Sequence, residues 1–503
     1  MSAPETVSHR LGCHPALLID EILLQIFLYL PRETLAAAAV TCRAWVSAVD
    51  LLWREVRVKD LLNVLDFVET RPGCQEGDAK PVEDWKWDRL RYLAHKVGTI
   101  IGKRLSGALD TKAAFKVLRG ARVSEKGAAL LPNIDRVEWQ FWVSVGPIED
   151  QVMNMLLCMG PTLRKLQIIT NGAPPAVFFD NLPDTSPRLV ELIIIRARFG
   201  SERSKSLCKS LARLSALQHV ELLILDSTST EGIMAALEGH LNLHTLHLCG
   251  DTNASTSWPC NIQRPFPALR RLKLMFGLED TGTLDNLAHG SMLTSFELGT
   301  RHLVFRNLRA TLNALRLHTR LETLGLFGGF SDRDVLRQGF LEAVRLCTRL
   351  KDLYISIGQP MELSDGDIEG LAIRLPLLQT LTIRHLYHAD PPSSVQIRPT
   401  LRAFALLAAS CPMIRSITLA VDCTLGVPEN TVYPSRHSVA SVNVMNSNLD
   451  DPQVAAQFFR RLSRGRDLGI IYDIWETSAT TWEKVVELMS TLRQASDMDI
   501  CDL

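Results

Sequence analysis

One hydrophobic pattern recurs through most of this chain: an apolar residue, two variable residues, an apolar residue, one variable residue, an apolar residue. Leu163-Arg-Lys-Leu166-Gln-Ile168 and Leu243-His-Thr-Leu246-His-Leu248 are examples. Units of this form start at Ile134, Leu163, Leu189, Leu217, Leu243, Leu269, Leu293, Leu321, Leu350, Leu378, Ile414 and Val439, roughly 27 residues apart. The alternation inside each unit predicts a short strand with one buried face. Helical periodicity fills the intervals, as in 202–213, 231–240, 305–318, 333–347, 365–374, 401–411 and 452–462. A single strand and helix cannot bury their own apolar faces, so the units must stack, each completing its neighbour's core. The longest interval, from Leu378 to Ile414, holds Tyr387-His-Ala-Asp-Pro-Pro-Ser-Ser and reads as a loop inserted over 385–397. Ile470-Ile-Tyr-Asp-Ile and a helix over 481–493 are expected to close the last unit.

Ahead of the units the pattern is different. Ile22, Leu23, Ile26, Phe27 and Leu30 recur at three- and four-residue steps behind a capping Asp20, and Pro31 ends that helix. Leu35 to Val40 predict a second short helix, and Thr41 caps a third that carries Trp45 and Val49. Three helices in so short a stretch cannot cover this many large apolar groups among themselves. The surplus predicts a helical docking module over 15–57. Residues 58–130 read as an irregular helical joint, with helices near Lys59, Leu90 and Ala113 and a loop over 71–81.

Composition narrows the chemistry. Lys+Arg and Asp+Glu are 55 each in 503 residues, which argues against a nucleic-acid or anionic-membrane surface as the chain's main partner. No apolar run reaches bilayer length, and Met1-Ser-Ala-Pro-Glu-Thr is not the start of a secretory signal. The 11 Cys are scattered without a Cys-x-x-Cys, which fits reduced thiols in the cytosol or nucleus, most of them small core residues. Phosphate-loop, dinucleotide, metalloprotease and nucleophile-elbow motifs are all absent. His240, His244 and His247 cluster in sequence, but their spacing serves a repeat unit rather than a metal. The chain is therefore expected to be no enzyme and to hold no cofactor or metal.

What the units do offer is a surface. In each strand the third and fifth positions of the unit point away from the buried residues. Among these, His219, Glu221, Thr245, His247, Arg271, Lys273, Glu297, Asp352 and Tyr354 are the candidate target-binding residues. Arg271 and Lys273 make a basic step beside His247, with Glu297 next to it.

The unit and its period resemble the leucine-rich repeat, with the Asn or Cys that usually follows the core mostly missing. That resemblance implies an α/β fold, a curved solenoid over 131–475 with parallel strands on its concave face and helices on its convex face. A cap and tail over 476–503 would follow. The order Glu21-Ile-Leu, Ile26-Phe27, Leu30, Leu35, Val40-x-Cys42-Arg43-x-Trp45 and Leu52-Trp53-Arg54 resembles the F-box. Ile19 stands where that family usually has Pro. The two together are most similar to fungal-type F-box proteins with leucine-rich repeats.

This resemblance implies a substrate-recognition adaptor of an SCF-type ubiquitin ligase. Leu18, Ile19, Ile22, Leu23, Ile26, Leu30, Leu35, Val40, Trp45, Leu52 and Trp53 would dock a Skp-type adaptor and, through it, a cullin-based core. The repeats would hold a protein target for ubiquitin-dependent degradation. A repeat-based binding scaffold whose box no longer docks is the alternative.

Overall fold

Carbonyl oxygens shared between neighbouring units set the register of this molecule. Asp135 and Arg136 both donate their amides to the Gly98 oxygen, at 2.7 and 2.9 Å. Arg164 and Lys165 do the same to Asp135, both at 2.9 Å, and Lys351 and Asp352 to Glu322, at 2.7 and 3.0 Å. The accepting residue is always the second of a unit, so each strand begins level with the one before.

The computed structural model describes residues 26, 29–30, 34, 53–63, 84–102, 130–141, 148–172, 174–197, 199, 201–224, 230–250, 255–256, 266–275, 277–278, 292–300, 315, 319–328, 339–357, 363–385, 398–424, 426–427, 431, 433, 439–445, 447, 449–463, 467–472 and 479–501. The chain divides into two compact units, residues 1–217 and 218–503.

The first unit runs β1 (Glu55–Arg57), α1 (Val58–Asn63), α2 (Asp84–Ala94), β2 (Thr99–Gly102), β3 (Arg136–Phe141), α3 (Ile148–Cys158), β4 (Lys165–Thr170), α4 (Ala176–Thr185), β5 (Glu191–Ala197) and α5 (Ser201–Arg213). Its strands lie parallel in chain order, β1 to β5. Leu166 and Ile168 of β4 and Leu192 and Ile194 of β5 are buried, while Lys165 and Gln167 stay accessible. α5 turns Ser204, Leu207 and Leu211 inward at helical spacing. Phe179 of α4 packs edge-on against Phe178 and contacts Phe199, with ring centroids 4.9 and 5.6 Å apart.

The second unit starts with β6 (His219–Ile224), α6 (Thr230–Leu237), β7 (Thr245–Cys249), β8 (Ser255–Thr256), β9 (Arg271–Met275), β10 (Gly277–Leu278), β11 (Ser295–Thr300) and β12 (Thr323–Gly328). It continues with α7 (Gly339–Val344), β13 (Asp352–Ile357), α8 (Asp365–Arg374), β14 (Thr380–His385), α9 (Arg402–Ser410), β15 (Ser416–Leu419), β16 (Ser441–Met445), α10 (Pro452–Ser463), β17 (Gly469–Tyr472) and α11 (Ala479–Cys501). β6, β7, β9 and β11 to β17 form a parallel sheet in that order, and the two-residue strands β8 and β10 pair with each other. Parallel neighbours joined by crossover segments leave one sheet face for the helices and the other free of them. α8 starts with a capping box: Ser364 Oγ accepts from the Asp367 amide at 3.2 Å, and Asp367 Oδ2 accepts from the Ser364 amide at 3.0 Å.

All twelve expected strands are present, and α5, α6, α8, α9 and α10 occupy the predicted intervals to within a turn, while α11 starts as expected but runs on to Cys501, past the predicted end at 493. α7 begins at Gly339 among described residues, later than position 333. Of 305–318 only Leu315 is described; it is helical and buried. The helix near Ala113, the loop over 71–81 and nearly all of the insertion over 385–397 lie outside the described residues.

The start of the sheet differs from expectation. The spacing places the first strand after 131 and leaves 58–130 as a helical joint. Instead β1 and β2 pair in parallel ahead of β3, and the Arg54 oxygen accepts from Gly98 and Thr99 at 2.9 and 2.7 Å. Trp53-Arg-Glu-Val56-Arg-Val58 and Val97-Gly-Thr-Ile100-Ile-Gly102 are therefore two earlier units. The intervals from Trp53 to Val97 and from Val97 to Ile134 both exceed the usual period, which is why spacing alone does not reveal them. Gly102 also breaks the apolar pattern, and the Trp139 ring of β3 fills the space a sixth-position side chain would take.

Candidate protein-binding face of the repeats

Parity in the second unit's strands puts the predicted target-binding residues on one face. Val220 and Leu222 are fully buried, while His219 and Glu221 are half-buried. The same holds for Thr245 and His247, for Lys273, for Glu297, and for Asp352 and Tyr354; Arg271 is exposed. The register aligns them in two rows across the strands. His219, Thr245, Arg271, Ser295, Thr323 and Asp352 form one row. Glu221, His247, Lys273, Glu297, Gly325 and Tyr354 form the other.

The carboxylates of the second row lie against basic side chains. Glu221 Oε1 lies 3.1 Å from His247 Nδ1, and its Oε2 lies 3.8 Å from His219 Nε2. Lys273 Nζ meets Glu297 Oε2 at 2.8 Å. Two of these contacts join neighbouring strands and His219–Glu221 lies along β6, all at partly solvated sites, so they order the surface more than they stabilise the fold. Tyr354 has its phenol pKa raised, chiefly by burial and then by Asp352, against a hydrogen bond with Thr380. Thr323 donates to Asp352 Oδ2 at 3.5 Å.

His247 carries a pH signature. Burial lowers its pKa most, and Lys273 adds to that; Glu221 and Glu297 push back, and the net shift is downward from 6.5. The fold thus favours the neutral imidazole. The unfolded chain takes up this proton first as pH falls, so the stability tied to neutral His247 is present above about pH 6.5 and is lost below it. We expect His247→Gln to flatten part of the fall in melting temperature between about pH 6.5 and 5. Melting curves across that range check this, and a variant curve parallel to the wild type would rule out His247 as the titrating group.

His240 is buried, with Nδ1 2.9 Å from the Leu237 oxygen, so it belongs to the turn after α6. Among the described residues no group of three His, Cys, Asp or Glu is placed to hold a metal. Cys347 and Cys411 are buried, and burial pushes their thiol pKa values up to about 11 and about 12. Cys423 is pushed up further by burial and by Asp422. Such thiols are poor nucleophiles at neutral pH. Cys411 Sγ donates to the Leu375 oxygen at 3.3 Å, a packing role between units. No described helix is long and apolar enough to cross a membrane.

One row on this face escaped the sequence reading. Leu223, Cys249 and Met275 stand side by side in register beyond the charged row, and Gly299 then Phe327 continue the line. Leu223, Cys249, Met275 and Phe327 are half-buried. The signal was present as an apolar residue following the core in several units, at a position the six-residue pattern does not include.

At the N-terminal segment the structure describes few of the predicted docking residues. Ile26 is helical and 43% exposed, in keeping with an apolar side chain left open, and Leu30 is half-buried. Leu18, Ile19, Ile22, Leu23, Leu35, Val40, Trp45 and Leu52 lie outside the described residues. Trp53 requires a correction. It is 1% exposed and occupies the first apolar position of the unit that contains β1, so its side chain serves the repeat core rather than an open docking surface.

Residues 20–59 match the F-box-like family model. A search of curated proteins finds no match. Among solved structures, the chain is similar to one from the TLR13–ssRNA13 complex, at 15% identity and a TM-score of 0.37, over 76% of this chain and 52% of that one. It thus spans about half of that relative's length. It is also similar to the internalin inlF of Listeria monocytogenes str. 4b F2365, at 13% identity and a TM-score of 0.32, over 73% of this chain and 92% of that one. The chain carries an F-box-like segment followed by leucine-rich repeats. These are the parts of a protein-interaction adaptor.

Proposed function

We propose that this chain is a substrate-recognition adaptor of an SCF-type ubiquitin ligase. The F-box-like match at residues 20–59 carries the reading. In that reading the segment docks a Skp-type adaptor, which joins the chain to a cullin-based core, and the repeat face holds a protein target. The chain itself performs no catalytic step; ubiquitin transfer belongs to the assembled complex. Its contribution is proximity, since holding a target on a well-ordered scaffold raises the effective concentration of target lysines at the conjugating enzyme. Strand β1 supports the coupling this needs. Glu55–Arg57, near the end of the matched segment, pair with β2, which ties that part of the segment directly into the sheet. The cytosol or nucleus is the expected site of action, where scattered thiols stay reduced.

Co-purification with a Skp-type adaptor tests this. Wild type is expected to form a stable complex, and Leu23→Asp combined with Ile26→Asp to abolish it by placing two charges on the predicted docking face. The repeats should keep the wild-type circular dichroism spectrum. Absence of a complex with wild type would overturn the ligase role and leave a repeat-based scaffold, the reading that Ile19 in place of the usual Pro favours.

A further inference from the structure

Two features of the repeat face are left unbalanced by the fold, and they lie on the same strands. The first is Arg271. Lys273, His247 and His219 all have a carboxylate within 4 Å, but among the described residues Arg271 has no ion-pair partner. It is exposed, and the register places half-buried Thr245 and Ser295 on either side of it.

The second is an apolar ledge. A Cβ added at Gly299 would fall on the Met275 thioether, and one at Gly325 would lie 2.8 Å from the Phe327 ring and 2.9 Å from Glu297 Cγ. The two glycines therefore let Met275 lie across β11 and let the Phe327 ring fold back along β12. The result is flattened apolar surface, continued by Cys249 and Leu223, on a face that is otherwise polar. Between cation and ledge runs the row in which Lys273 and Glu297 neutralise each other.

Arg271 and Met275 are the first and last residues of β9. Four strand residues span about 13 Å. In an extended ligand the same distance separates residues i and i+4, whose side chains share one face.

We infer that this face binds an extended segment of a protein target that presents an acidic side chain to Arg271 and, four residues away, a bulky apolar side chain to the Met275–Phe327 ledge. The inference rests on the reading of the repeat face as the target-binding side. Charge complementarity sets the first contact: a guanidinium without an ion-pair partner among the described residues, flanked by two hydroxyls, fits a carboxylate. Burial of the ledge supplies the second, since half-buried Met and Phe are the kind of surface that anchors an interface core. The residue between them sits over a neutral ion pair and is free to vary.

The test is a display selection of random twelve-residue peptides against the full chain, beside Arg271→Glu and the pair Met275→Ser/Phe327→Ser. Wild type is expected to enrich an acidic and an apolar position four residues apart. Arg271→Glu should exchange the acidic preference for Lys or Arg while keeping the apolar one. The Ser pair should lose the apolar preference, and selected peptides should bind both variants at least tenfold more weakly than wild type. Arg271→Gln, which only removes the charge at an exposed site, serves as a second variant if the reversal disturbs folding, and should lose the acidic preference. No enrichment, or a consensus that follows none of these changes, would overturn the inference. Skp-type adaptor co-purification is read on the same samples. Adaptor bound without a consensus refutes the peptide site alone; a consensus that follows Arg271 without adaptor refutes the ligase role alone.

Discussion

Trp482→Ala is expected to destabilise the C-terminal end of the second unit by about 3–5 kcal/mol, the usual cost of emptying a buried large aromatic site. Trp482 lies on α11 and is fully buried. Its Nε1–H donates to the Ser447 oxygen at 3.1 Å, and the Ser447 hydroxyl in turn accepts from the Val421 amide at 2.9 Å. The indole packs on Phe459 of α10 at 6.2 Å, and Phe459 packs on Phe404 of α9 at 5.7 Å. Alanine would leave a cavity beside this aromatic chain and an unpaired buried carbonyl. In a stacked array each unit contacts only its neighbours, so the damage should stay local. Hydrogen exchange checks this: protection should fall first in β15 to β17, with β6 to β9 close to wild type. Equal loss along the whole sheet would mean the unit unfolds as one block.

Gly102→Ala should destabilise the first unit by about 1–3 kcal/mol, although replacing glycine inside a strand ordinarily gains stability. The added Cβ would lie 2.6 Å from Cδ2 and Cε3 of Trp139. Trp139 is 2% exposed, so its ring has little room to retreat. Trp139→Leu alone opens a cavity, but it also makes the space the new methyl needs. The double variant should therefore lose less than the two single losses added together, with a favourable coupling of about 0.5–3 kcal/mol. Denaturant titration of the four proteins measures that coupling, and simple additivity would show that the contact does not decide the packing. The outcome bears on function, because β2 joins β1, and with it the end of the F-box-like segment, to the rest of the repeats.

Much of the repeat array could be read from residue order. A strand reveals itself by alternation, because burial on one face selects apolar residues at every second position. Leu246 and Leu248 show this, and so do the accessible Thr245 and His247 that alternate with them. The helix Asp365–Arg374 has the predicted bounds, and Ser364 and Asp367 fix its start by capping it with their own side chains. Where a local rule was broken, the reading stopped. Gly102 hides its strand because a residue of the next unit supplies the missing bulk. Trp53 reads as part of a docking surface because large apolar residues suit a core and an interface equally.

Which residues of this protein lie inside the repeats and which lie on their open face was determined by the sequence alone, since parity and period are local properties of a chain that must bury apolar groups. What touches what on that face was decided by the tertiary structure. Lys273 and Glu297, or His247 and Glu221, are neighbours because strands from different units share carbonyls at one level. Arg271 is left without an ion-pair partner among the described residues, and Met275 lies flat across Gly299, for the same reason. Sideways contacts join residues one repeat apart, so they depend on stacking register, which no single unit encodes.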